Sequence, residues 1–88
     1  MEGYHIGMMA KSLAGHDKGK IYMVHSVDEK FVYLVDGSIR TMEHPKRKKM
    51  KHVQIDHTIP EWIQKLLDNE KIIENSDVIK ARRDYGRK

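Results

Sequence analysis

A chain of 88 residues without cysteine makes one small domain with a core only just sufficient, and it excludes disulfides and thiolate metal sites. Hydrophobic residues are 39% and charged residues 34% of the chain, so a small core lies under a densely charged surface, and no stretch is apolar enough to span a membrane. The net charge of +4 is unevenly spread: residues 1–52 carry ten cationic against six anionic side chains, residues 53–79 two against six, and residues 80–88 five against one. An acidic middle therefore separates two basic regions, as expected of basic surfaces set on a folded body.

The first six residues lack a basic region followed by a long apolar run, and are read as carrying no secretion signal. Residues 8–13 and 21–27 read as strands flanking a glycine-rich turn, residues 14–20. Gly15 and Gly19 stand four apart in it. Glycine reaches positive φ without steric cost and admits a close neighbour, which suits an ordinary bulged turn and equally a loop whose amides meet a ligand. In a third strand, residues 31–35, Phe31, Tyr33 and Val35 share one face and Val32 and Leu34 the other. With both faces apolar, this strand is expected to be central and covered twice, by a barrel interior and by a C-terminal helix. Tyr22 and Val24, alternating with Ile21 and Met23, repeat the pattern. Phe31, Tyr33 and Tyr22 are accordingly read as core rather than stacking platforms. Asp36-Gly37 then signals a hairpin, with residues 38–42 returning.

Residues 44–52 hold Lys46, Arg47, Lys48, Lys49 and Lys51, with Pro45 discouraging helix before them. Like charges repel, so the run reads as a solvated basic loop, or as a phosphate-contacting loop or extended segment beside the barrel. Residues 53–56 read as a short closing strand. The period then turns helical over residues 58–68, with Thr58 and Glu61 as a capping box, Pro60 in the first turn, and a stripe of Ile59, Trp62, Ile63, Leu66 and Leu67 anchored by Trp62. Asn69-Glu70 ends this helix, and residues 71–74 stay ambiguous between strand and turn. Ser76 is expected to cap a last helix, residues 77–85, with Val78, Ile79, Arg82 and Tyr85 on one side. Lys80, Arg83 and Arg87 lie elsewhere on it, near a C-terminus whose dipole favours cations, and residues 86–88 fray.

The succession Gly15-His16-Asp17-Lys18-Gly19-Lys20, apolar strand, Val27-Asp28-Glu29, apolar strand, Leu34-Val35-Asp36-Gly37 resembles the KOW family of RNA-binding modules over roughly residues 7–53. Within it, the chain is similar to the KOW-bearing large-subunit ribosomal proteins of archaea and eukaryotes and their small bacterial relatives; residues 45–52 resemble the bacterial branch. Position 16 departs, with histidine where that branch carries arginine, and near neutral pH it brings less charge to a phosphate. The resemblance implies a mainly β fold with α: a small SH3-like five-stranded barrel over residues 1–57, basic segment 44–52 included, followed by two short helices in residues 58–88 packed on it. It also implies RNA contacts at Gly15, His16, Lys18, Gly19, Lys20, Arg40, Lys46, Arg47, Lys48, Lys49, Lys51 and His52. Arg82 and Arg83 are candidate secondary contacts.

Six histidines, at positions 5, 16, 25, 44, 52 and 57, form no i, i+4 pair, so no metal site is read. His16-Asp17 and Asp56-His57 lack an activated nucleophile beside them, and neither a Walker pattern nor a dinucleotide fingerprint occurs. No catalysis and no cofactor are inferred. The expected activity is binding of structured RNA, ribosomal RNA as the resemblance implies, by a cytoplasmic protein that is a monomer when free. Four engaged phosphates would weaken affinity about 50-fold between 50 and 200 mM salt. A protein-binding adaptor of the transcription or translation machinery and a non-specific DNA binder are the competing readings.

Overall fold

Residues 5–87 are described by the computed structural model. The readings that fall on residues 1–4 and on Lys88 lie outside the described residues. Five antiparallel strands form one sheet: β1 (Met9–Ser12), β2 (Ile21–Val27), β3 (Phe31–Val35), β4 (Lys46–Lys49) and β5 (Val53–Asp56), in the order β4-β3-β2-β1-β5. A short 3-10 turn, Met50–His52, links β4 to β5 at the two edges of the sheet. The topology is SH3-like, followed by two helices, α1 (Glu61–Asp68) and α2 (Asn75–Gly86). No ladder joins β4 to β5 among the described residues, so the expected barrel is an open one.

Strand alternation divides the core in two, as the double apolar pattern requires. Met8, Ala10, Tyr22, Val24, Val32, Leu34 and Val53 pack inside the curl of the sheet. Met9, Met23 and Val35 face the other way and are covered by Ile63 of α1, Ile73, and Val78 and Ala81 of α2. In β2 the interior positions are even up to Val24, yet Val27 also packs inward. A bulge between Val24 and Ser26 supplies the extra residue that resets the parity.

Three local expectations are corrected. Residues 38–42 do not return as a strand. The Asp36 carboxylate accepts the amides of Ser38 and Arg40, both at 2.9 Å, and closes a wider turn. Gly37 (φ +85°) sits under α2, and Met42 donates its amide to Asn75 Oδ1 at 2.7 Å. Contacts with α2 thus claim the segment, and the basic run itself becomes the fourth strand. Thr58 does not cap α1; Pro60 precedes its first turn, and the Thr58 amide donates to Asp56. Glu74, not Ser76, caps α2, in a reciprocal box with Asp77. Residues 71–74, left ambiguous, form no strand, and α1 ends where read, with Glu70 at φ +57°.

Side-chain roles on the helices also shift. Ile63, fully buried, anchors α1, while Trp62 is half-buried with the Lys80 ammonium 4.4 Å above its ring. On α2, Ala81 is buried and Ile79 is exposed. No helix among the described residues is long and apolar enough to cross a membrane.

Candidate nucleic-acid interface

The fourth strand sorts the basic run by parity. Opposite β3, Lys46 pairs with Leu34 and Lys48 with Val32, so both lysines share the inward face; Arg47 pairs with Tyr33 and Lys49 with Phe31 on the outward face. Inward lysines would be costly without a counter-charge, and the glycine-rich turn delivers one. The carboxylate of Asp17 accepts Lys48 Nζ at 2.6 Å, Lys46 Nζ at 2.9 Å, Tyr22 Oη at 2.6 Å and Ser12 Oγ at 2.7 Å. Lys48 also donates to the carbonyl of Ala14 at 2.8 Å. Burial pushes the Asp17 carboxyl up, but the bonds from Lys48, Tyr22, Lys46 and Ser12 outweigh it and hold the group far below the usual carboxylate range. The Tyr22 phenol is pushed up, by burial first and then by its bond to Asp17. Lys46 and Lys48, expected as phosphate contacts, are therefore turned onto Asp17.

The turn is also less open than a ligand cradle. Gly15 and Gly19 adopt φ of +87° and +90°. Within it, Lys18 donates its amide to Gly15, Gly19 to Ser12, and Lys20 to Asp17. His16 and Lys18 are exposed at its tip. Lys20 reaches Asp36 Oδ2 at 2.6 Å, where the carboxylate is only 1% exposed. Burial raises the Asp36 pKa, and the Lys20 bond with the Ser38 and Arg40 amides more than reverses this, holding it at about 2.

Among the other expected contacts, Arg40 uses its backbone in the Asp36 turn, and the carbonyl of His52 accepts the Leu13 amide at 2.8 Å. Arg82 donates Nε to the Ile21 carbonyl at 2.6 Å and so ties α2 to β2. It lines, with Arg83, Gly19 and Lys20, a hollow beside the turn. The structure thus brings the C-terminal arginines to the glycine turn, and the turn to the basic strand.

The outward face carries a group of exposed cations; Lys11, Lys18 and Lys71 are exposed elsewhere on the described surface. Arg47, Lys49, Lys51 and Lys30 are exposed and have no ion-pair partner among the described residues. Lys30, Lys49 and Lys51 line a hollow with Phe31, and Arg47 pairs across the sheet with Tyr33; both rings are half-buried on the part of β3 that the helices leave uncovered. Arg47 lies 4.5 Å from the centroid of the Phe31 ring. Tyr33 donates to Asp28 at 2.8 Å, a bond that holds the Asp28 carboxyl below its ordinary value. Sequence reasoning placed Phe31 and Tyr33 in the core, passed over Lys30, and weighed Asp17 only beside His16 as half of an acid–base pair. Parity applied to residues 46–49 as a strand is the signal that would have separated inward from outward lysines.

Compared with protein-family models and with curated proteins, the chain matches none.

Proposed function

We propose that this chain is a non-enzymatic RNA-binding module of the KOW kind, docking on structured RNA, ribosomal RNA in a ribosome-associated or translation-related role. The observation that carries the reading is the outward face of β3 and β4 and the adjoining 3-10 turn, where Arg47, Lys49, Lys51 and Lys30 have no ion-pair partner among the described residues and lie beside half-exposed Phe31, with Arg47 opposite Tyr33. Unpaired cations neutralise phosphates and release counterions, which supplies affinity; aromatic faces among them offer stacking to unpaired bases. The resemblance of residues 7–53 to KOW modules supplies the ribosomal direction. The proposed setting is the cytoplasm, with the free protein a monomer.

The test is sedimentation of cell lysate through a sucrose gradient at low and high salt, comparing the native chain with a variant carrying Arg47→Glu, Lys49→Glu and Lys51→Glu. These three are chosen because Lys46 and Lys48 hold Asp17, so changing them confounds binding with folding. Co-migration with a ribosomal particle, lost in the variant and at high salt, is the expected result. A native chain that remains at the top of the gradient at low salt overturns ribosome docking. Capture of a protein partner that survives the triple reversal favours the adaptor reading instead.

A further inference from the structure

The corner between β3, β4 and the 3-10 turn holds a hollow of about 360 Å³ lined by Lys30, Phe31, Lys49, Met50 and Lys51. Its walls are fixed by the sheet: Phe31 and Lys49 are cross-strand partners, and the Met50 amide donates to the Lys30 carbonyl at 3.0 Å. The floor is apolar, made of an aromatic ring and a thioether. Three exposed lysines without ion-pair partners among the described residues complete the lining and bring the positive charge to its rim side. The volume falls in the range of small-ligand sites.

Resting on the RNA-binding reading, we propose that this hollow receives a single unpaired nucleotide of a structured RNA, its base against Phe31 and Met50 and its phosphate among Lys30, Lys49 and Lys51. The chemistry of the lining selects that occupant. A duplex offers phosphates to the rim but keeps its base faces stacked, leaving the apolar floor wet. A bulged or looped-out nucleotide presents a flat π face and an anion on one unit, matching floor and rim together. An apolar peptide side chain would satisfy the floor and leave three cations unmatched. The Arg47 guanidinium, 4.5 Å from the Phe31 ring centroid, adds positive charge to the approach. Apart from the weak thioether, no side chain of the lining is a hydrogen-bond acceptor, so recognition rests on stacking. Purines, with the larger face, are held more tightly than pyrimidines.

The experiment uses three RNA hairpins of equal charge, each closed by the same non-nucleotide linker: one with a bulged adenosine, one with an abasic bulge at the same place, and one fully paired with an added phosphate at one end. Affinities are measured by fluorescence anisotropy with the full chain at low salt. Binding to the adenosine bulge is expected to be about tenfold tighter than to the other two. Phe31→Leu removes this preference and Phe31→Trp retains it, while Lys49→Glu with Lys51→Glu weakens all three. The abasic bulge keeps the bend and the phosphate, so equal affinity for both bulges overturns the nucleotide pocket while the RNA-binding reading stands. Binding of all three hairpins at one affinity, unchanged by Phe31→Leu, does the same. Failure to bind any hairpin overturns both proposals.

Discussion

Asp17 shows how one side chain decides what its neighbours are for. Two lysines that read as part of a phosphate-binding run spend their charge on this carboxylate, and Lys48, with only 10% of its side chain exposed, has little other choice. Replacing Asp17 with asparagine leaves two ammonium groups in a partly dry site, and is expected to destabilise the domain by about 2 kcal/mol after allowance for partial exposure. In thermal unfolding that is a fall of roughly 10 °C. Lys49→Glu, on the exposed outer face, is expected to leave the midpoint nearly unchanged and to lower RNA affinity instead. The reverse pattern would move the interface to the inner lysines.

The two engaged carboxylates also set an acid limit. Their folded pKa values lie below the unfolded reference of 3.8, so their stabilisation is complete above about pH 4 and is lost as pH falls through the folded values. For Asp36 the window runs from about pH 4 to about pH 2, and about 2 kcal/mol is lost across it. Urea unfolding at a series of pH values measures it. Lys20→Met removes the first of the groups that hold the pKa down, so the folded value moves back toward the unfolded 3.8 and the acid-dependent loss from Asp36 shrinks.

Between elements, the decisive contacts lie where loops meet α2. A Cβ on Gly37 would stand 2.5 Å from the Asn75 carbonyl and 2.8 Å from Ile79 Cγ1, at a φ that L side chains rarely adopt. Gly37→Ala is therefore expected to cost more than about 2 kcal/mol, because the backbone of α2 must move. Gly19 shares the positive φ but meets nothing within 4 Å, so Gly19→Ala is expected to cost only about 1 kcal/mol. Denaturant midpoints of the two variants compare a clash with a purely conformational strain. The same contacts explain the failed hairpin: once Asp36 holds the Ser38 and Arg40 amides and Asn75 holds the Met42 amide, residues 38–42 have no free ladder to offer β3. The strand role passes to residues 46–49 despite their charge, because cross-strand pairing with β3 and the counter-charge of Asp17 override a poor intrinsic propensity.

For the molecule as a whole, the helices are part of the core rather than an appendage. Met9, Met23 and Val35 are fully buried, and Ile63, Val78 and Ala81 cover them. A chain truncated after residue 57 exposes that face and is expected to bind a hydrophobic dye and aggregate, which fluorescence and light scattering would register. If it instead remains monomeric with native-like unfolding, the second core is dispensable and the sheet stands on its inner core alone.

Strand period placed β1, β2, β3 and β5 and asked for a second cover on β3, which the helices supply over Val35 but not over Phe31 and Tyr33; it put the fourth strand at residues 38–42 rather than 46–49. The end of α1 at Asn69-Glu70 was equally local, since a backbone turn at positive φ needs no distant partner. What only the tertiary structure decided was which lysines are spent and which are free. Lys46 and Lys49 are alike in type, and parity separates them only once residues 46–49 are paired with β3; what the inward lysine then meets is a carboxylate 29 residues away. Charge is a property of the residue, but its availability depends on what the fold places within bonding distance.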